Sequence, residues 1–248
     1  MRKNILITGA SSGLGEGMAR EFAERGCNLA LCARRMDRLE ALKAEIEKDH
    51  PQIIISIRAL DVLDYEQVFE VFRAFRDDLG TLDRIIINAG IGKGQPLGTG
   101  YFYANRQTAE TNFVAALAQC EAAMEIFREQ NDGHLVIISS MSAFRGMRKN
   151  MTTYAATKAG VATLAEGIRQ EMIGKPIKVS TLYPGYIRTE LNEEVQNAPF
   201  IVDQKTGCRA LVRAIEREVD NASVPPWPWK PIGFAMRNLP LSWVKRMT

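Results

Sequence analysis

The sequence predicts an α/β domain, a doubly wound parallel β-sheet covered by helices on both faces in three layers. Two observations carry this. Short apolar runs at 5–7, 28–32, 53–59, 85–87, 135–138 and 177–182 are continuous rather than alternating, as in strands buried on both faces. Stretches of helical periodicity separate them, so strand and helix alternate along the chain. Right-handed crossovers then place every loop that follows a strand on one rim, and ligands bind there.

The elements follow in order. After the first run, Leu14, Met18 and Phe22 recur every four residues. Leu39, Leu42 and Ile46 mark the second helix, and Asp49-His50-Pro51 ends it. Val68, Phe72 and Phe75 mark the third, and Val161, Leu164 and Ile168 mark the one after 135–138. The chain has 248 residues, enough for one large core, and residues 1–221 read as a single domain. Residues 222–248 differ. They hold Pro225, Pro226, Pro228, Pro231 and Pro240 and all 3 tryptophans, and read as a tail lying on the domain.

Composition excludes several classes. Apolar residues are 46% and charged residues 25%, which is neither disordered nor collagen-like. No apolar run reaches the roughly 18 residues of a membrane span. The run after Met1-Arg2-Lys3-Asn4 is too short for a signal peptide. A net charge of +3 is too mild to argue for nucleic acid. The 4 cysteines (Cys27, Cys32, Cys120, Cys208) are scattered and the histidines are only His50 and His134. The expectation is reduced, buried thiols in a cytoplasmic chain, with no metal site.

The first run ends in Thr8-Gly9-Ala10-Ser11-Ser12-Gly13-Leu14-Gly15. Glycines between a strand and a helix permit a tight turn and let backbone N–H groups approach a pyrophosphate at the helix N-terminus. The spacing is T-G-x-x-x-G-x-G. It resembles the short-chain dehydrogenase/reductase family, whose fold is Rossmann-like. The resemblance continues along the chain. Asp61-Val62 follows the third run, where the family's Asp meets the adenine amino group. Asn88-Ala89-Gly90 follows the fourth, with Ile87 in place of the family's first Asn. Tyr183-Pro184-Gly185-Tyr186-Ile187-Arg188-Thr189 follows the sixth and matches P-G-x-x-x-T, whose loop meets the nicotinamide. The resemblance implies that Gly9, Ser11, Ser12, Gly13, Leu14, Gly15, Asp61, Val62, Asn88, Ala89, Gly90, Pro184, Gly185, Ile187 and Thr189 line the cofactor.

The second run ends in Cys32-Ala33-Arg34-Arg35. An NAD enzyme carries an acid here for the ribose 2′-hydroxyl. Ala33 stands in its place, and guanidinium groups follow that would pair with a 2′-phosphate. The expected cofactor is NADP(H), held by Arg34 and Arg35, with Arg34 at the family's usual contact position.

Tyr154-Ala155-Ala156-Thr157-Lys158 places Tyr154 and Lys158 on one helix face. Reducing a carbonyl by hydride leaves an alkoxide that needs a proton. A tyrosine with a pKa of about 10 is a poor donor or acceptor near neutrality. The expectation is that the neighbouring ammonium and the positive charge of the oxidised nicotinamide together lower that pKa, and that Lys158 also holds the nicotinamide ribose. The run 135–138 leads into Ser139-Ser140, and Ser140 is expected to orient the substrate oxygen. The family's usual serine-to-tyrosine spacing is one residue shorter than the 14 from Ser140 to Tyr154, and Ser139 and Ser142 are also at hand. By resemblance, Asn112 is the fourth catalytic residue, supporting a water-linked proton relay.

In the family, the stretch after the P-G loop covers the substrate, here 190–205. Met141, Phe144, Met147, Met151 and Tyr186 are expected to line an apolar pocket. The tail mixes tryptophan with basic residues, which fits packing on the domain, a subunit interface or peripheral membrane contact. The resemblance implies a homodimer or homotetramer. The functional expectation is an NADP(H)-dependent carbonyl reductase or alcohol dehydrogenase, with Tyr154 as acid and base. The alternative is an NADP(H)-binding sensor or scaffold without turnover.

Overall fold

The structure is a computed structural model that describes residues 2–192 and 199–247. The strands are β1 (Asn4–Thr8), β2 (Asn28–Ala33), β3 (Ile55–Ala59), β4 (Arg84–Ile87), β5 (Gly133–Ile138), β6 (Ile177–Pro184) and β7 (Asn221–Val224). The helices are α1 (Gly13–Ala23), α2 (Met36–Asp49), α3 (Tyr65–Leu79), α4 (Phe102–Ala109), α5 (Ala115–Gln130), α6 (Met151–Glu171), α7 (Gln204–Glu216), α8 (Pro226–Asn238) and α9 (Leu241–Met247). All strands are parallel, in the order β3-β2-β1-β4-β5-β6-β7. The order reverses between β1 and β4, which opens a crevice at their carboxyl ends.

Strand β1 shows why the apolar runs are continuous. Leu6 faces a core shared with Phe72 and Phe75 of α3, Phe127 of α5 and Val161 of α6. Ile5 and Ile7 face the other core, with Met18 and Phe22 of α1, Leu39 of α2 and Leu211 of α7. Both faces are therefore apolar, and each fully buried side chain of this size contributes about 1.5–3 kcal/mol. Helix starts are capped where the sequence supplies a carboxylate. Asp64 accepts from the Gln67 amide at 3.1 Å, and Asp203 accepts from the Thr206 amide at 2.8 Å.

On the rim away from the glycine turn, β4, β5 and β6 share a buried polar chain. Arg84 Nε donates to His134 Nδ1 at 2.9 Å, His134 Nε2 lies 2.8 Å from Ser180 Oγ, and Ser180 donates to the Val219 carbonyl at 2.6 Å. An accepting Nδ1 makes His134 the neutral tautomer that carries its proton on Nε2. Burial holds its pKa well below the usual histidine range, with the Arg84 charge acting the same way. Burial likewise brings Arg84 down to about 10.

Two expectations are corrected. Strand β3 begins at Ile55, because Pro51 and Gln52 turn the chain and leave Ile54 outside it. Residues 221–224, read partly as the start of the tail, are the last strand of the sheet. Asn221-Ala222-Ser223-Val224 lacks an apolar run because this edge strand, among the described residues, pairs with β6 alone. The tail itself is two helices. Trp227 is not helical, so the Pro226–Pro228 segment forms a kinked start, where proline sacrifices little hydrogen bonding.

Candidate active site

Gly9 turns the chain out of β1 with φ +66°, and a Cβ there would stand 2.9 Å from Ala89 Cα. The close approach brings the ends of β1 and β4 together, and hydrogen bonds lock it. Asn88 Nδ2 donates to the carbonyls of Thr8 at 2.9 Å and Gly9 at 3.4 Å. Thr8 Oγ1 accepts from the amides of Asn88 at 3.1 Å and Ala89 at 3.2 Å. Asn88 is thus a brace for the turn, and Thr8, fully buried, is its counterpart. Ser12 precedes α1 in extended geometry without a side-chain cap, so its hydroxyl does not satisfy the first-turn N–H groups. Gly15 and Ser11 are buried under the turn, while Ser12, Gly13 and Leu14 reach the rim.

The remaining cradle residues come to the same rim. Asp61 follows β3 and accepts from the Leu63 amide at 3.1 Å, with Val62 buried behind it. Pro184 ends β6, and the Gly185 amide donates to the Val224 carbonyl at 2.9 Å. The Ile187 side chain is core, packed with α1 and α7, which leaves only its backbone for a ligand. Thr189 faces Gly13 across the crevice, and its amide donates to Asn192 Oδ1 at 2.9 Å. Arg34 is exposed and has no ion pair among the described residues. Arg35 folds back onto the turn, donating to Ser12 Oγ at 2.6 Å, Ser11 Oγ at 3.3 Å and Glu190 Oε2 at 3.2 Å.

Beside this cradle stand the four residues with candidate chemistry. The Ser140 hydroxyl accepts from the Ser142 amide at 3.2 Å and stands close enough to Tyr154 to pull the phenol's pKa down. Ser139 Oγ is turned inward, donating to the Lys158 carbonyl at 2.7 Å, and Ser142 Oγ is buried without a hydrogen-bond partner among the described residues. Of the three serines, Ser140 is the one whose hydroxyl acts on the Tyr154 pKa. Lys158 is buried, donates from Nζ to the Ile138 carbonyl at 2.9 Å, and lies 5.8 Å from the centroid of the Tyr154 ring. Burial lowers its pKa to about 8. Asn112 sits in a π-helical turn, Glu110–Val114, between α4 and α5. Such turns collect at functional sites. Its amide pairs with Ile91 in both directions at 2.8 Å and reaches Thr157 Oγ1 at 3.4 Å.

Two site expectations are corrected. The chain's own groups raise the Tyr154 pKa rather than lower it: burial outweighs the neighbouring Ser140 hydroxyl, which pulls it down. Lys158 is directed at the Ile138 carbonyl and the ring rather than at the phenol oxygen. Met141 is buried packing and not open pocket wall, and Phe144, half-buried beside it, lines a recess with Thr163, Tyr183 and Arg237. Met141 and Phe144 lie under α8 with Tyr183 and Trp229, and the Phe144 and Tyr183 rings are 4.5 Å apart. Met147, Met151 and Tyr186 stay half-buried at the rim. Part of the covering stretch 190–205, residues 193–198, lies outside the described residues.

The site fits a dinucleotide carrying phosphate groups. Its donors are the first-turn amides of α1, the Ser11 and Ser12 hydroxyls and a guanidinium. The buried Lys158 ammonium has three N–H groups and, among the described residues, one hydrogen-bond acceptor. Two donors are left for a hydroxyl-bearing ligand.

A sequence model of the family described as short chain dehydrogenase matches residues 3–199. The chain belongs to the short-chain dehydrogenase family. It is 52% identical over 239 residues to an uncharacterized oxidoreductase of Mycobacterium tuberculosis, covering 96% of this chain and 94% of that one. It is 31% identical over 224 residues to an uncharacterized oxidoreductase of Myxococcus xanthus, covering 90% and 87%. Among solved structures, levodione reductase superposes with a TM-score of 0.81 at 26% identity, covering 89% of this chain and 94% of that one. An alcohol dehydrogenase from the archaeon Thermococcus sibiricus, complexed with 5-hydroxy-NADP, shares the fold with a TM-score of 0.80 at 24% identity, covering 89% and 95%.

This short-chain dehydrogenase is therefore an oxidoreductase of a family that uses a nicotinamide cofactor. No helix among the described residues is long and apolar enough to cross a membrane. Sequence reasoning left out Thr8, Arg38, Glu190 and Trp229. Thr8 stood inside the glycine motif, so its role could have been read there. Trp229 is 5% exposed and covers Gly185, whose Cβ would fall 2.0 Å from the indole. Nothing in the linear order of the tail pairs it with that glycine.

Proposed function

We propose that this short-chain dehydrogenase is an NADP(H)-dependent oxidoreductase that interconverts a carbonyl and a secondary alcohol of an apolar substrate. The observation that carries the reading is Tyr154 beside the Ser140 hydroxyl and 5.8 Å, ring centroid to Nζ, from the buried Lys158 ammonium. When bound, the nicotinamide donates or accepts the hydride. In reduction, Tyr154 gives its phenolic proton to the substrate oxygen; in oxidation it takes that proton back. Ser140 holds the same oxygen and stabilises the charge that develops there. A tyrosine whose pKa burial has raised favours the proton-donor form in the resting site. Lys158 anchors the ligand's hydroxyls through its two remaining N–H donors, and their positive charge opposes the burial effect on Tyr154 as the proton leaves. Asn112 holds Ile91 and Thr157 in place around the ammonium.

The NADP(H) preference rests on Ala33, where an acid would serve the ribose 2′-hydroxyl, and on Arg34 and Arg35 after it. The apolar substrate rests on Met147, Met151 and Tyr186 at the rim. A homodimer or homotetramer in the cytoplasm follows the habit of the family. The test is NADPH oxidation by the purified protein across a panel of ketones and aldehydes, with Tyr154→Phe as control. Turnover that the variant loses supports the reading. Tight NADPH binding with no turnover across a broad panel would favour the sensor reading instead.

A further inference from the structure

Arg35 and Arg38 share one carboxylate. Glu190 stands just after Thr189, at the start of the stretch that follows the P-G loop, and it reaches across the crevice to both guanidiniums. Its Oε2 accepts from Arg35 Nη1 at 3.2 Å, and its Oε1 accepts from Arg38 Nη1. Arg35 is at the same time bonded to the hydroxyls of Ser11 and Ser12 in the glycine turn. Two guanidiniums and two hydroxyls on one spot form a donor set suited to a phosphate monoester, an anion with three terminal oxygens. In this structure the chain's own carboxylate takes up the guanidinium half of that set. Arg34, by contrast, is exposed and engages no acid among the described residues.

We infer that Arg38 is, with Arg35, a specificity residue for the cofactor 2′-phosphate, and that Glu190 is an internal anion which this phosphate must displace. The inference rests on the NADP(H) reading and deepens it. A 2′-hydroxyl carries no charge and gains nothing by competing with Glu190. A 2′-phosphate gains both guanidiniums but must break two ion pairs to reach them. Glu190 therefore weakens binding of the phosphorylated cofactor alone and narrows the discrimination that the two arginines set up. All three side chains are between 42% and 44% exposed, so the competing pairs are screened and the effect is several-fold, not many orders.

The experiment measures dissociation constants of NADP+ and NAD+ by calorimetry for the wild type, Glu190→Gln and Arg38→Gln, with 2′,5′-ADP and 5′-AMP as fragments. Expected are a gain of about three- to tenfold in NADP+ and 2′,5′-ADP affinity for Glu190→Gln, and a loss of about tenfold for Arg38→Gln. Both variants should leave NAD+ and 5′-AMP within about twofold, since neither contacts an uncharged ribose. Unchanged or weaker NADP+ binding by Glu190→Gln overturns Glu190 as a competitor. NADP+ binding indifferent to Arg38→Gln overturns the role of Arg38. A wild type that binds NAD+ more tightly than NADP+, and 5′-AMP more tightly than 2′,5′-ADP, overturns the cofactor reading itself.

Discussion

Ser140, two residues beyond β5, and Tyr154, in the first turn of α6, are brought side by side across an interval of 14 residues, close enough for the serine hydroxyl to pull the phenol's pKa down. A strand end and a helix start are both rigid, so their juxtaposition is set by the sheet and by the packing of α6 against it. The intervening chain forms a short helical turn, Met141–Phe144, and then a loop. An added residue in such a loop costs little, because closure entropy grows slowly with length.

If this pair carries the proton transfer, Ser140→Ala and Tyr154→Phe should fail in kcat and not in folding. Tyr154→Phe is expected to lower kcat by about 10²–10⁴, and Ser140→Ala by about 10²–10³. Thermal melts of both variants should stay close to wild type. Ser139→Ala, which removes the bond to the Lys158 carbonyl, should lose stability instead.

Lys158 trades stability for its place in the site. Its pKa falls from 10.5 to about 8 on folding because the ammonium is buried. Below pH 8 both states are charged and the native state bears the full desolvation cost. Between about 8 and 10.5 the native state sheds its proton first, so this group's contribution to stability rises with pH. Lys158→Met should therefore be more stable than wild type at pH 7 by about 1–2 kcal/mol, net of the lost Ile138 hydrogen bond. That advantage should shrink toward pH 10, and turnover should be lost. Denaturant melts at several pH values measure it.

His134 predicts acid sensitivity. It is neutral and fully buried in the native state, with its pKa well below 6.5. Below pH 6.5 the unfolded chain binds a proton that the native state refuses, so stability falls with falling pH until the native pKa is reached. His134→Gln keeps an acceptor for Arg84 but does not titrate. The variant should be less stable at pH 7.5, by about 1–3 kcal/mol, with the gap to wild type closing as the pH drops toward 5. A gap that stays constant over that range would show that His134 is not responsible.

Gly185 and Trp229 tie the tail to the site. A methyl group on Gly185 would meet the indole, so Gly185→Ala should destabilise by about 1–3 kcal/mol. Trp229→Ala opens the space. In a double-mutant cycle the pair should be coupled, with Gly185→Ala far less costly once the indole is gone. Additive effects would mean that the two residues do not press on each other in solution.

The strand–helix alternation, the glycine turn and the Tyr154–Lys158 pair were legible because each depends on local spacing. Continuous apolar runs mean burial on two faces, and residues four apart share a helix face. Strand β7 was not legible, because an edge strand of Asn, Ala, Ser and Val carries no hydrophobic signal. Apolarity alone marks Met141 as pocket wall. That reading cannot separate an open wall from one already covered by α8.

The sequence by itself determined the family, the fold and the ordered motifs on the rim, since these follow from patterning and from spacing within single elements. Only the tertiary structure decided which serine hydroxyl acts on Tyr154, that burial raises the Tyr154 pKa, and that Glu190 reaches Arg35 and Arg38. These are relations between side chains far apart in the chain. Their distances and desolvation are set by how the loops after different strands converge on one rim, and no local pattern records that.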